Sequence, residues 1–264
     1  MLTAVKSQIR ISILSIKYAV MRELMNKVSF FANVFFMMVN NATFLIQWAL
    51  LFSIKSDFGG YSFKQVMILW AFAASTFGLS NFFFKNAHNL SDMIISGKLD
   101  VYLVQPKSVL ISAITSDVSV SALGDFIYGY IILFICGCTF KNFILFTIFS
   151  ILGGLIATAF AVTLGSLSFY ISRADAILEN GERLFISFAT YPDGIFKGVV
   201  KLILYTIVPV GFSVYIPTKL LTTFDTVGAL MVIMFTIGIV ALSVLVFYRG
   251  LRRYSSSNLM NARM

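Results

Sequence analysis

Several runs of about 20 or more apolar residues follow one another along the chain, and they restrict its fold more than any other feature. A helix of that length crosses the roughly 30 Å of hydrocarbon in a lipid bilayer. Of the 264 residues, 59% are hydrophobic and 12% are charged, whereas an ordinary soluble domain has roughly 45–50% apolar and about 25% charged residues. The sequence therefore predicts an all-α, polytopic membrane protein.

We predict six transmembrane helices in a single membrane domain over residues 28–249. Their predicted ranges are 28–53, 64–84, 117–138, 143–171, 175–191 and 227–247. The remaining apolar stretch, residues 199–215, is interrupted by Lys201, Pro209 and Gly211. We interpret it as part of a re-entrant extracellular hairpin over residues 192–224, because a seventh span would carry the basic C-terminal tail across the membrane. Broken helices persist at membrane depth only where protein or water covers the freed backbone groups.

The first 27 residues alternate basic and apolar positions at near-helical spacing. The basic residues are Lys6, Arg10, Lys17, Arg22 and Lys27, and the apolar residues are Val5, Ile9, Ile13, Ile16 and Val20. The segment lacks the short apolar core and small-residue cleavage site of a signal peptide. It is therefore predicted to form an amphipathic helix that lies along the cytoplasmic membrane surface.

The positive charge of the chain indicates its orientation. The net charge is +9, and the basic residues lie in the gaps between apolar runs, which argues against a nucleic-acid-binding patch. With a cytoplasmic N-terminus, 14 of the 20 Lys and Arg residues are cytoplasmic: five before the first span, three after the second, Arg173 and Arg183, and four at the C-terminus. The bias predicts that both termini are cytoplasmic and that residues 250–264 form a cytoplasmic tail.

The chain has no recognisable nucleotide-binding or catalytic motif. A P-loop requires Gly-Lys followed by Ser or Thr, but Leu99 follows Gly97-Lys98, and Asp92 occupies the position of the first glycine. The only histidine, His88, is predicted to be a solvated loop residue. No Gly-x-Ser-x-Gly elbow is present, so an intramembrane protease or other enzyme lacks both a nucleophile and a base.

No metal site is predicted either. Cys136 and Cys138 are the only cysteines, and residues two apart on a helix point to different sides. They cannot form a metal site alone, and we interpret them as small packing residues. No cofactor is expected to bind this chain.

The longest polar gap between spans covers residues 85–107. Ser91 or Asp92 can cap a short helix there, and Gly97 can end it. Its apolar residues belong to no span and need a surface to contact; they are Met93, Ile94, Leu99, Tyr102 and Leu103. From composition alone, that surface is either the membrane with its neighbouring helices or a partner protein.

The fourth predicted span carries a stripe of small residues. Gly153, Ala157, Ala161 and Gly165 recur at intervals of four and lie along one helix face. Such a stripe lets a second helix approach closely. It therefore predicts helix packing and gives no indication of a substrate.

Polar side chains also lie within the predicted spans. Asn33, Asn40 and Gln47 are seven residues apart and share one face of the first span, where they contact another helix, a partner subunit or a translocation path. Asp125 lies about two turns inside the third span. An intramembrane carboxylate suggests a function, but no basic residue within a span is an obvious partner, so a structural hydrogen bond is the alternative.

These features occur in an order that resembles the permeases of type-2 ABC exporters, in the subgroup usually described only as an uncharacterised ABC-type permease component. The resemblance extends over most of the chain. It rests on the run Ile95-Ser96-Gly97-Lys98-Leu99-Asp100 with Pro106, on Gly124-Asp125, on Tyr191-Pro192 with Ile195-Phe196, on Pro209, Tyr215 and Pro217, and on Gly250-Leu251-Arg252-Arg253-Tyr254.

The resemblance implies a bacterial cytoplasmic-membrane exporter subunit with six spans, an N-terminal elbow helix and re-entrant helices before the last span. Two cytoplasmic ATPase chains would bind ATP and Mg²⁺, and a second permease subunit would complete a heterodimer or homodimer. The residues implied to form the coupling helix are Ser91, Asp92, Met93, Ile94, Gly97, Leu99 and Asp100. The alternative is an ion-gradient-driven secondary transporter, which would be expected to contain several paired intramembrane charges.

Overall fold

All regular elements in the described part of the chain are helices, which confirms the predicted all-α class. The computed structural model describes residues 2–171 and 174–255, with the backbone alone for residues 2–5. The helices are α1 (Leu2–Leu24), α2 (Lys27–Ile54), α3 (Phe63–His88), α4 (Leu90–Ile95), α5 (Asp100–Leu103), α6 (Val109–Ile114), α7 (Ala122–Ile135), α8 (Phe140–Gly165), α9 (Ala174–Ala189), α10 (Gly198–Thr206), α11 (Ile216–Thr222) and α12 (Thr226–Leu251). Arg173, Arg263 and the side chain of Val5 lie outside the described residues.

Four helical stretches among the described residues are long and apolar enough to cross a membrane. They are Lys27–Ile54, Phe63–Ile95, Phe140–Phe169 and Thr226–Leu251. The most apolar part of Phe63–Ile95 is 67% buried, whereas that of Lys27–Ile54 is 11% buried. The core therefore lies around α3 and α8, with α7 packed against α3, while α2 and α12 remain largely uncovered.

The two other predicted spans are not among these four stretches, so the count of six is not confirmed. The third was predicted from residue 117, but helix α7 begins at Ala122 and has 14 residues, or about 21 Å at 1.5 Å per residue. Gly137 follows it with a φ of 83°, a conformation that ends regular helix. Helix α9 has 16 residues and carries four charged side chains.

The stretch predicted to re-enter the membrane is bent. Helices α10 and α11, with the π-helix Gly211–Tyr215 leading into α11, meet at 77°. Pro209 lies at the break, and proline has no N–H to continue a helical hydrogen-bond ladder. The bend agrees with a broken span as well as with a hairpin.

The small-residue stripe of α8 lies at its contact with α3 and α4. Gly153, Ala157, Ala161 and Gly165 are all buried. A Cβ on Gly153 would lie 2.5 Å from Thr76 Oγ1 and 2.9 Å from the Ser213 carbonyl oxygen. A Cβ on Gly165 would lie 3.0 Å from the Leu90 side chain. Larger residues at these two positions would push the helices apart.

Candidate functional site

The segment that joins α3 to α6 contains the predicted short helix, with one correction at its start. Helix α4 has Asn89 at its N-cap position, and Ser91 and Asp92 lie inside its first turn. Gly97 follows the end of the helix with a φ of 75°, the left-handed conformation common after a helix C-terminus. The predicted capping residues are therefore wrong by two or three positions, while the glycine ends the helix as predicted.

The expectation that Met93, Ile94 and Leu99 are presented to a partner is wrong for this chain's own fold. Met93 and Ile94 are each 5% exposed and Leu99 is fully buried. They belong to an apolar group that is called here the α4 cluster. Its other buried members are Ala87, Leu90, Leu110, Ala113, Ile114, Ala161, Val162, Leu178 and Phe247. The side chains needed a partner surface, as the sequence indicated, and α8, α9 and α12 supply it.

Polar contacts attach the same segment to the rest of the chain. Ser91 shares a hydrogen bond of 2.6 Å with Ser168, and the Tyr254 hydroxyl donates to Asp100 at 2.8 Å. Burial and the adjacent Asp100 carboxylate raise the pKa of Tyr254. Asp92 instead lies at the surface, where Lys98 donates to it at 2.7 Å.

Four other apolar side chains of this segment face outward. Ile95, Val101, Leu103 and Val104 are exposed by 45%, 63%, 42% and 85% respectively. We call them the exposed apolar set. Of this set, the sequence analysis named only Leu103 as an apolar residue in need of a surface, because the buried and exposed apolar residues have the same character and alternate without a clear period. Which of these apolar residues are buried depends on where α8, α9 and α12 lie, and the sequence of the segment itself does not show this.

His88 is not a solvated loop residue, as the sequence suggested. It is the last residue of α3, and its side chain is 12% exposed. Its ring nitrogens lie 2.9 Å from Ser80 Oγ and 2.7 Å from Glu182 Oε1 on α9. Ser80 is also 2.8 Å from Thr158 Oγ1 on α8. The network therefore connects α3, α8 and α9 close to the α4 cluster.

Asp125 is buried beside a cavity of about 490 Å³ between α2, α3, α7 and α9. It lies in the first turn of α7, because this helix begins later than predicted. The Asn41 side-chain amide donates to its carboxylate at 2.5 Å. No Lys, Arg or His nitrogen of the described residues lies within 4.0 Å of that carboxylate. Asn41 could not be selected from the sequence, because only the exposed amides next to it recur periodically.

The amide side chains on the predicted polar face of α2 are mostly not packed against other helices. Asn33, Asn40 and Gln47 are exposed, and of these three only Asn40 lines the cavity of Asp125. The wall also includes Phe44 and Trp70, whose rings are stacked with centroids 4.6 Å apart. The structure therefore brings Asn40 and Asp125 together and leaves Asn33 and Gln47 apart from them.

A second buried carboxylate holds together the loops at the far end of the bundle. Asp193 accepts hydrogen bonds from the hydroxyls of Tyr61 at 2.8 Å and Tyr205 at 3.0 Å, and from Lys219 Nζ at 2.7 Å. Lys201 Nζ lies 3.5 Å away. Burial acts to raise the pKa of Asp193, but the hydrogen bonds from Lys219 and Tyr61 outweigh it and hold the pKa below its usual value.

The loops meet closely at this carboxylate. A Cβ on Gly194 would lie 1.8 Å from the Gly59 carbonyl oxygen. Only glycine allows the two backbones to approach so closely. No predicted site residue lies here, although Asp193 follows the Tyr191-Pro192 motif directly.

The sequence model of one protein family, described as ABC-2 family transporter protein, matches residues 38–258. The chain belongs to the ABC-2 transporter family. No curated protein and no solved structure is significantly similar to it. As an ABC-2 membrane protein it is a multi-pass, permease-type subunit and is not itself the nucleotide-binding domain. Family membership also implies association with ABC ATPase partners.

In the described residues, no group of three or more His, Cys, Asp or Glu side chains could hold a metal ion. The described helices offer two other features. One is a segment with apolar side chains on its surface, and the other is a cavity within the helices with a single buried carboxylate.

In this ABC-2 permease we expect Asn40 and Gln47 to face another protein surface or an aqueous path, because an amide left in hydrocarbon costs roughly 2–7 kcal/mol. Replacing both with leucine should weaken association between permease subunits or reduce transport. Cysteines at the two positions should react with water-soluble reagents if they line an aqueous path, and with neither water-soluble nor lipid-phase reagents if a protein surface covers them. A cysteine at Phe35, exposed on another face of α2, is the control. Labelling of positions 40 and 47 by lipid-phase reagents alone would contradict the expectation.

Proposed function

We propose that this chain is the transmembrane permease subunit of an ATP-driven ABC exporter. It would move an amphipathic or hydrophobic substrate out of a bacterial cell across the cytoplasmic membrane. Two partner ATPase subunits would bind and hydrolyse ATP with Mg²⁺, and a second permease, identical or divergent, would complete the membrane part. The observation that carries the proposal is the segment between α3 and α6, which has some apolar side chains exposed at its surface and others buried in the α4 cluster.

The segment connects the proposed ATPase contact to the helices of the membrane domain. On this proposal the ATPase contacts the exposed apolar set and the surface residues Asp92 and Lys98. Met93, Ile94 and Leu99 act as the anchor, because they are buried in the α4 cluster together with residues of α6, α8, α9 and α12. Well-packed cores transmit displacement because they have little free volume. When the ATPases close on ATP, the ends of these helices would move together.

The substrate path is proposed to run between the two permease subunits. The exposed residue Asn40 lines the cavity beside Asp125, and the exposed stripe of α2 extends beyond it at Asn33 and Gln47. A volume of about 490 Å³ is within the roughly 300–1,000 Å³ typical of small-molecule sites. On this proposal Asp125 and its Asn41 partner lie on the wall of the path.

The topology of the proposed permease has six spans. Helices α7 and α9 are its two shorter spans, α1 within residues 1–27 is its elbow helix, and 192–224 is an extracellular re-entrant hairpin. Residues 85–107 form the coupling loop, and both termini are cytoplasmic, including the tail 250–264.

A gradient-driven transporter is not favoured, because Asp125 has no buried cationic partner among the described residues and the family is one of ABC transporters.

The test is to replace Val101 and Val104 with aspartate. Two exposed valines buried in an ATPase groove would contribute at most about 3–6 kcal/mol, at roughly 1.5–3 kcal/mol each. The variant should insert and fold normally, yet copurify little ATPase and fail to stimulate ATP hydrolysis. Copurification and ATPase assays in reconstituted membranes measure both effects.

A double threonine variant at the same positions is the matched control, because threonine keeps the side-chain size without adding charge. It should retain most of the bound ATPase. If the aspartate variant still copurifies a fully coupled ATPase, the segment does not couple the subunits. If the unaltered chain transports under an ion gradient with no ATPase present, the exporter proposal itself is wrong.

A further inference from the structure

The N-terminal helix lies over a groove that no step of the proposed transport cycle uses. Helix α1 is attached to the segment around α6 by side-chain contacts: Lys107 Nζ donates to Ser7 at 2.5 Å, Gln8 Nε2 donates to Ser112 at 3.2 Å, and Gln8 Oε1 accepts from the Ser108 backbone at 3.0 Å. Between these contacts and the end of α3 lies a cavity of about 700 Å³. Its volume is that of a ligand site.

The walls of this groove are apolar and uncovered. Ile9 and Ile13 of α1, Phe83 of α3 and Ile111 of α6 line it, and each is more than a third exposed. The α3 backbone departs from helical geometry at Phe84, another lining residue. A ligand with few polar groups fits these walls, since a polar ligand would lose hydrogen bonds to water without replacing them.

The rim of the groove is positively charged. Lys107 lines it, and α1 carries four basic residues and one acidic residue. Among the described residues, no carboxylate lies within 4.0 Å of Lys107 Nζ or of the Arg10 guanidinium. Asp117 and Glu23, the acidic groups bonded to α1, are both paired with Arg22, and Asp117 is also paired with Lys85. The available charge therefore suits an anionic ligand.

We propose that this groove binds an anionic phospholipid, with an acyl chain along Ile9, Ile13, Phe83 and Ile111 and the phosphate at Lys107. An amphipathic helix with basic residues lies at the depth of the lipid headgroups. A phospholipid at that depth combines the two properties that the groove selects for, an apolar chain and a negative charge. An acyl chain also needs no hydrogen-bond partner, whereas a peptide backbone would need several.

The experiment uses the full chain, purified with any subunits it retains, in nanodiscs of phosphatidylcholine that contain a minor fraction of phosphatidylglycerol with a photoreactive acyl chain. Labelled peptides are identified by mass spectrometry. Labelling should concentrate on residues around Ile9 to Ile13 and around Phe83. Photoreactive phosphatidylcholine should label these peptides about tenfold less, the loss expected for one charge-assisted hydrogen bond.

Two variants and one control make the result specific. Ile111→Trp fills the groove and should abolish its labelling. Lys107→Gln should remove the preference for phosphatidylglycerol and leave the general labelling intact, so it remains informative if the tryptophan variant fails to fold. Ile237→Trp, on the exposed face of α12, is the control, and the lipid should label its groove as it labels that of the unaltered chain.

Three outcomes would overturn the proposal. Equal labelling by the two lipids would show that the groove does not recognise charge. Normal groove labelling in Ile111→Trp would place the lipid elsewhere. Labelling that appears only after partner subunits are removed would show that a protein occupies the groove. None of these results depends on transport, so they leave the proposed exporter function to its own test.

Discussion

Replacing Asp193 with alanine is expected to lower the free energy of unfolding by about 3–5 kcal/mol, the usual effect of removing one partner from a buried ion pair. Asp193 is buried and accepts from two tyrosine hydroxyls and the Lys219 ammonium. Without the carboxylate, the Tyr61 and Tyr205 hydroxyls lose their acceptor inside the protein. The loop before α3, α10 and α11 would then separate. Thermal unfolding of the purified protein in detergent measures the loss.

Asp225→Ala is the matched control for this prediction. Asp225 lies between α11 and α12 and caps α12, accepting from the backbone of Val227 and Gly228 at 3.2 and 2.8 Å. It is exposed, so its replacement should cost about 1 kcal/mol, the typical value for an N-cap. Equal destabilisation by the two alanine variants would show that the Asp193 cluster is not a stabilising centre.

The same cluster gives a pH dependence with a defined sign. The folded state holds the pKa of Asp193 below its usual value, so the unfolded chain binds this proton more readily. The contribution to stability is therefore complete above the unfolded pKa of about 3.9 and is lost as the pH falls through the lower folded value. Asp193→Asn should remove this part of the acid dependence. If the stability of that variant falls with decreasing pH just as it does in the unaltered chain, the assignment to Asp193 is wrong.

The sequence predicted the features that depend on residues close together in the chain. The apolar runs gave the four long helices, because a span is determined by about 20 consecutive residues. The spacing of Gly153, Ala157, Ala161 and Gly165 predicted a helix contact, and these residues are buried against α3 and α4. Gly97 predicted a helix end, and its positive φ agrees with that prediction. Each prediction used a local pattern.

The sequence could not predict contacts between distant residues. Asp193 contacts Tyr61, 132 positions away, and Asp125 contacts Asn41, 84 positions away. His88 was interpreted as solvated because its partner Glu182 lies on another helix. Such pairs are determined by how the helices assemble, which no periodicity in a single segment reports. Helix α7 was also extended too far at both ends, since apolar loop residues look like continuations of a span.

The replacement of Met93 and Ile94 by aspartate distinguishes the sequence-based prediction from the structure. If the two side chains faced an ATPase, the variant would fold and lose only its partner. In the structure each is 5% exposed and lies in the α4 cluster. Burying an unpaired carboxylate there costs several kcal/mol, and two of them consume most of the roughly 5–15 kcal/mol that stabilises a typical fold. We therefore expect low yield and a protein that is unfolded or readily proteolysed.

Ile95→Asp is the control, because Ile95 is the next residue of the same helix and is 45% exposed. It adds one carboxylate to the same helix without burying it, so this variant should insert and fold. Comparing the two variants by yield, thermal unfolding and protease sensitivity separates burial from charge. If the double variant instead folds as well as Ile95→Asp and loses only its ATPase, Met93 and Ile94 turn outward in the assembled transporter. The anchor assigned to them would then be wrong, and the sequence-based prediction of a direct ATPase contact would be correct.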